Sequence, residues 1–221
     1  MMLNIKDLSF GFQTPLFSHF NLELPTGELA ILKGPNGAGK STLFGLISGA
    51  LTPWSGKILL DEKDITPLSQ TERSSQITTI VQDPKVGTIA HFTIFENMIL
   101  ASHKGVCPRL KLCYGKEQRS FFKEYLSQLN MGFENRLDDK VNALSGGQRQ
   151  ALNVAMMLMT NAKLILLDEI TAALDIKASK IVLDFAIQKI REKKSTALMI
   201  THSLKDVEKY GQKIISIKQH K

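Results

Sequence analysis

The sequence has no apolar run approaching the roughly 20 residues that cross a bilayer as a helix. Its longest aliphatic stretches are short, such as Leu164-Ile165-Leu166-Leu167. Work at a membrane would therefore need a span supplied by a separate chain. The opening residues, Met1 to Asp7, show no basic segment followed by an apolar one, so no secretory leader is expected. Cysteine is scarce. Cys107 and Cys113 fit neither a zinc spacing nor a C-x-x-C redox pair, and two reduced cytosolic thiols are expected. Internal repeats and low-complexity linkers are missing too. What remains is a chain of 221 residues, 43% hydrophobic and 22% charged, long enough to bury a sizeable core. Its net charge of +7 and pI of about 9.4 suit a polyanionic partner. Nucleic acid, an anionic membrane surface and bound phosphates all meet that description.

One stretch organises the rest. Gly34-Pro35-Asn36-Gly37-Ala38-Gly39-Lys40-Ser41-Thr42 fits the phosphate-binding pattern G-x-x-x-x-G-K-[ST]. Leu29-Ala30-Ile31-Leu32 before it reads as a buried strand. Leu43, Phe44, Leu46 and Ile47 after it give a helix one apolar face. Strand, glycine-rich loop and helix together turn a pattern into a site. The glycines let the backbone close on phosphate oxygens, and the helix start adds partial positive charge there. Lys40 would reach the β- and γ-phosphates, and the Ser41 hydroxyl would take one Mg²⁺ position. A bare helix-capping turn needs no Lys-Ser pair after its last glycine. The pattern speaks of a nucleoside triphosphate and is silent on the use of its energy.

The flanking sequence supplies the layers. Leu3 and Ile5, then Phe20, Leu22 and Leu24, recur at every second residue, as in half-exposed antiparallel strands, with a turn from Gly11 to Pro15 between them. Lys57–Leu60, Ile77–Val81, Leu164–Leu167 and Ala197–Ile200 read as further strands, with a last one at Ile214–Ile217. Between about residues 86 and 159 the character is helical. Phe121, Phe122, Tyr125, Leu126 and Leu129 fall on one helix face, which packing in a core explains. Ala178–Lys193 reads as an amphipathic helix. Lys189, Arg191, Lys193 and Lys194 crowd its end, as expected of a solvated helix terminus that complements the dipole. The pattern is an α/β core split by a helical insertion, its strands buried on both faces.

Four further pieces stand at telling places. Leu144-Ser145-Gly146-Gly147-Gln148 precedes a helix. Leu164–Leu167 ends in the carboxylates Asp168 and Glu169. Gln82 follows one strand and His202 another. In this order, with the phosphate loop, they resemble the nucleotide-binding subunit of ABC transporters over essentially the whole chain. The resemblance implies an α/β fold: a P-loop NTPase (RecA-like) core with an N-terminal antiparallel β region and an inserted α-helical subdomain. It further implies a single ATPase domain over residues 1–221, with core at about 1–85 and 160–221 and the helical signature subdomain at about 86–159.

The residue types suit phosphoryl transfer to water, which needs positioning and charge neutralisation more than covalent help. Asp168 would support Mg²⁺ together with Ser41. Glu169 would polarise the attacking water as general base. The remaining roles come from the resemblance alone. Gln82 is similar to the residue that senses Mg²⁺ and the γ-phosphate and links core to helical insertion. His202 resembles the switch contacting the γ-phosphate. Ser145, Gly146, Gly147 and Gln148 resemble the signature that closes on ATP held by a second subunit, so a head-to-tail homodimer is implied. Phe12 aligns with the aromatic that stacks on adenine, although a plain core or edge aromatic is its rival. The family pattern Pro-Thr-Ser-Ala-Leu-Asp is here Ile170-Thr171-Ala172-Ala173-Leu174-Asp175. Asp175, the residue for contact across the dimer, remains, while the serine hydroxyl is lost at Ala172.

ATP and Mg²⁺ are thus the implied cofactors, with a separate integral membrane permease and a second copy as partners. A solute-binding protein could act through the permease. The implied location is the cytoplasmic face of the inner (plasma) membrane, bound peripherally. The segment from His103-Lys104 through Arg109, Lys111, Lys116 and Arg119 suits lipid headgroups, the permease or plain solvation. Val81–Thr88 and Phe92–Asn97 look similar to ATPases of bacterial importers, some paired with amino-acid-binding proteins, which leans the reading to import of an amino acid or similar small solute. A lipid or drug exporter and a lipoprotein-releasing system stay open. A soluble ATPase acting on nucleic acid would need long coiled-coil insertions or two ATPase units, so no nucleic-acid partner is expected. A regulatory module without turnover would be expected to lack Glu169 or His202.

Overall fold

The computed structural model describes residues 1–103, 115–172, 174–203, 207 and 209–217. Cys107, Cys113 and the basic residues Lys104, Arg109 and Lys111 lie outside the described residues. Two compact units are formed. The first takes residues 1–79, 162–169 and 190–221. The second takes 80–161 and 170–189.

Two sheets build the first unit. In one, β1 (Leu3–Gly11) pairs antiparallel with β2 (Pro15–Leu24) and with β4 (Ser55–Leu60), and β5 (Lys63–Asp64) lies beyond β4. Register pairs such as Leu3 with Leu24 and Ile5 with Leu22 put the alternating apolar residues on one face. The sequence turn after Gly11 is present: residues 12–14 join β1 to β2. The second sheet has the order β6 (Ile77–Ile80), β7 (Leu164–Asp168), β8 (Thr196–Ile200), β3 (Leu29–Lys33), β9 (Lys213–Ser216), and its pairs β7–β8, β3–β8 and β3–β9 are parallel. Strands β3, β7 and β8 are buried at almost every position, as continuous apolar runs require when both faces are covered.

Alternate residues of those strands, namely Ala30 and Leu32, Leu164 and Leu166, Leu198 and Ile200, join one buried cluster with Ile5, Leu8 and Ile58 of the antiparallel sheet. Leu43, Phe44, Leu46 and Ile47 of α1 (Lys40–Ser48) complete it. The helix behind the phosphate loop is therefore anchored by the main core. Its C-terminal end is held by a residue that no pattern announces. Arg73, only 2% exposed and at the end of the short helix α2 (Gln70–Arg73), donates to the carbonyls of Leu46, Ile47, Thr66 and Leu68. Burial lowers the pKa of its guanidinium from the ordinary value, yet arginine stays charged and complements the negative end of α1.

The second unit is mostly helical, with α3 (Ile94–Ser102), α4 (Lys116–Ser127), α5 (Gly146–Met159) and most of α6 (Ile176–Glu192). The aromatic stripe on α4 needs one correction. Phe122, Tyr125, Leu126 and Leu129 are buried, but Phe121 is 53% exposed. Neighbours on a helix differ by about 100°, so Phe121 and Phe122 cannot both face the core. Phe121 stacks instead on Tyr125, one turn on, at 6.1 Å. Lys189 is a second correction. It is buried rather than solvated, its ammonium 5.5 Å from the Tyr125 ring centre and 5.7 Å from that of Phe185. Arg119 likewise pairs with Asp138 and lies 5.3 Å over Phe95 rather than standing in a free basic patch. Among the described residues no helix is long and apolar enough to cross a membrane.

Candidate functional site

Open parallel sheets expose their strand ends to ligands on the carboxyl side. Here the ends of three adjacent strands carry the predicted residues: Gly34 follows β3, Glu169 follows β7 and His202 follows shortly after β8. A cleft of about 720 Å³ is lined by Asn36, Gly37, Gly39, Lys40, Ser41 and Thr42 of the loop, with Glu169, His202, Phe12 and Leu16. Its volume suits a small-molecule ligand.

The loop wraps through two left-handed glycines, Gly37 at φ 80° and Gly39 at φ 90°. Gly39 also sits where a Cβ would come within 2.8 Å of the Phe17 ring and 2.9 Å of Leu16. It caps α1 without any side-chain hydrogen bond, so no side chain competes for the first amides of the helix. Lys40, mostly buried, curls over the loop and donates to the carbonyls of Gly34 and Pro35 at 2.9 and 3.0 Å. Its ammonium is thereby held at the centre of the loop. Ala38, fully buried, donates its N–H to Pro35 at 3.2 Å and closes the turn.

The two carboxylates differ although they are neighbours. Asp168 ends β7 half-buried. Burial raises its pKa above the ordinary 3.8; a hydrogen bond from the Ser41 side chain opposes this, nearby Glu169 adds to it, and Lys40 lowers it. Glu169 takes φ 47°, a left-handed conformation that side chains rarely adopt, and its N–H donates to Ile200 on β8 at 3.2 Å. That turn aims its carboxylate out of the sheet and into the cleft. Oε1 of Glu169 lies 2.9 Å from Nε2 of His202. With Glu169 ionised, the Nε2–H tautomer donates this bond. Phe12 stands 71% exposed on the rim, its ring edge-on to buried Phe10 at 5.3 Å.

Gln82, Ser145–Gln148 and Asp175 belong to the second unit and are not among the residues lining this cleft. Gln82 is exposed after β6. Ser145 caps α5 in a reciprocal box: its hydroxyl accepts from the Gln148 N–H, and the Gln148 side chain accepts from the Ser145 N–H, each at 3.2 Å. A Cβ on Gly146 would meet nothing within 4 Å, so that face of the helix start is open. One oxygen of Asp175 accepts from Ala178 N–H at 2.9 Å at the start of α6. Two features were not legible. Leu16, an ordinary strand leucine, lines the cleft. Gln150, fully buried on α5, donates to the carbonyls of Val81 and Ile170, the residues that follow β6 and Glu169.

The sequence model of a family described as "ABC transporter" matches residues 17–172. The "Tyrosine transport ATP-binding protein" of Clostridioides difficile is 39% identical over 98% of this chain and 88% of that protein. The "Thiamine import ATP-binding protein ThiQ" of Yersinia pseudotuberculosis is 35% identical over 98% of this chain and 86% of that protein. An ATP-binding cassette, solved as a dimer in a post-hydrolysis state with ADP and phosphate, superposes with a TM-score of 0.82 at 26% identity, covering 100% of this chain and 97% of the other.

Proposed function

The chain belongs to the ABC transporter family and is an ATPase, and from that premise we propose that it is the motor subunit of an importer for an amino acid. It works as a single ATPase domain, its helical stretch of about 86–159 forming the signature subdomain. It acts as a head-to-tail dimer docked on a separate permease at the cytoplasmic face of the membrane, where a solute-binding protein can act through the permease. The observation that carries the ATP site is the convergence of Lys40, Ser41, Glu169 and His202 on one cleft at the ends of three parallel strands. The amino-acid reading is supported by the 39% identity to a tyrosine-transport ATP-binding protein over nearly the whole chain.

Gly34 to Thr42 wraps the triphosphate with backbone N–H groups, and Lys40 leaves its own loop carbonyls for the β- and γ-phosphates. Phe12 carries the adenine. Ser41 and Asp168 already share a hydrogen bond, and their hard oxygens suit Mg²⁺; Gln82 would be the third residue to hold it. When bound, that ion neutralises charge on the phosphates. Glu169 takes a proton from the attacking water, and His202, lying 2.9 Å from Glu169, turns to the γ-phosphate. Ser145, Gly146, Gly147 and Gln148 of a second copy close over the same ATP, and Asp175 contacts the opposite site. Vesicles holding this chain, its permease and the binding protein test the reading. An amino-acid-loaded binding protein is expected to stimulate hydrolysis several-fold, and stimulation by thiamine alone, or by no solute, would overturn the substrate assignment.

A further inference from the structure

Behind the exposed Phe12 ring, just before the neighbouring strand, stands a second aromatic that nothing above uses. Trp54, the one tryptophan of the sequence, is 56% exposed on the segment leading into β4. Its place is fixed by backbone. The Trp54 N–H donates to the Ser9 carbonyl at 2.8 Å, and Ser9 pairs with Ser55 in the ladder between β1 and β4. Its ring lies over Gly11. A Cβ there would come within 2.8 Å of Cη2 of the indole, and within 2.1 Å of the Thr14 carbonyl oxygen. Gly11 therefore does two things at once. It closes the turn that follows β1, and it lets the indole reach the backbone beside Phe12.

The rings form a chain. Trp54 sits 6.1 Å from Phe10, and Phe10 sits 5.3 Å from Phe12 at 81°. Phe10 is 6% exposed, so it cannot move without losing contacts, and its contact with Trp54 is a tilted one at 38°. Phe12 meets the Phe10 ring edge-on. Edge-to-face geometry orients a ring, because the positive edge of one aromatic meets the negative face of the other. A base stacking on Phe12 needs that orientation kept while the ring stays in water.

We infer that Trp54 is a positioning residue for nucleotide: through Phe10 and Gly11 it fixes the exposed Phe12 ring as a platform for the base. The inference rests on Phe12 meeting the base. It makes the affinity for the base separable from the affinity for the phosphates, which Lys40 and the loop supply.

The test compares ATP with inorganic tripolyphosphate, which lacks a base. In Trp54→Ala the KM for ATP rises roughly three- to tenfold, as the loss of an aromatic pair allows. The kcat and the inhibition constant of tripolyphosphate stay unchanged. Trp54→Phe restores most of the ATP affinity. In a Phe12→Ala background, Trp54→Ala adds little further. The wild-type protein gives a second readout that needs no variant at Trp54, since all indole emission comes from that residue. ATP shifts the emission, tripolyphosphate does not, and Phe12→Ala removes the ATP response. If Phe12→Ala weakens ATP and Trp54→Ala does not, the positioning role is overturned while the base platform stands. Equal losses for ATP and tripolyphosphate in Trp54→Ala overturn it as well, since they mark a general loss of fold. If Phe12→Ala leaves ATP affinity unchanged, the platform itself falls, and the Trp54 role with it.

Discussion

Two helix starts in this molecule are built from similar glycine-rich sequence and do opposite things with it. Before α1, Gly39 caps the helix with no side-chain bond, so no side chain occupies the first amides of the helix. Before α5, Ser145 and Gln148 satisfy each other's backbone N–H groups in a capping box. Ser69 with Glu72 and Thr93 with Glu96 cap α2 and α3 in the same reciprocal way. A helix start that must hold phosphate on its own leaves its donors open and brings in a lysine. On the proposed dimer, the helix start at Ser145 would meet phosphate only when a second copy arrives, and its own side chains stabilise it meanwhile. On that proposal, the difference separates a site that binds alone from one that binds on closure.

Five substitutions can break or sharpen that contrast. The largest effect is expected from Glu169→Gln, which removes the proposed base at the cleft without touching either helix start. Hydrolysis should fall about 10²- to 10⁴-fold while ATP binding persists, checked by phosphate release and by titration with nucleotide. Lys40→Met should raise the Kd for ATP about 10- to 100-fold in the single chain, as expected for losing a charged hydrogen bond to phosphate. Ser145→Ala should leave that Kd unchanged, and a matching loss there would erase the distinction between the two helix starts.

Smaller effects concern stability. Gly39→Ala forces a side chain into φ 90° and against Phe17 and Leu16, at a cost of about 1–2 kcal/mol. Ser145→Ala loses a cap worth about 1 kcal/mol. Thermal unfolding of both variants measures the pair. Only the first should also weaken ATP.

The smallest effect is pH-dependent. Burial raises the Asp168 pKa above 3.8. A raised carboxyl favours folding below its unfolded value and loses that contribution as pH climbs through the folded one. Asp168→Asn should therefore gain thermal stability relative to the parent as pH rises from about 4 towards neutral, with the protein free of nucleotide. A constant difference across that range would show that Asp168 is not strained by burial.

Much of the first unit was legible in sequence because its signals are local. The runs Leu29–Leu32, Leu164–Leu167 and Ala197–Ile200 announce strands covered on both faces, and the glycines and Lys40 announce the loop between strand and helix. The illegible parts are tertiary. Nothing in the spacing of Lys189 says that Tyr125 and Phe185 will receive its ammonium. Nothing near Arg73 says that four carbonyls will collect around it. Leu16 looks like any strand leucine until the β1–β2 hairpin carries it to the cleft. Phe121 misled because an unbroken pair of aromatics on a helix offers two directions, and only one is inward. The apolar strand before Glu169 announces a carboxylate at its end, but the left-handed backbone that aims that carboxylate is visible only in three dimensions.

The most direct test of the account is the mass in solution of Glu169→Gln with and without ATP. The variant should be a monomer alone and a dimer with ATP if, as proposed, the helix start at Gly39 binds the nucleotide and the capped one at Ser145 of a second copy then closes on it. A variant that binds ATP and remains a monomer would contradict the division of labour between the two helix starts.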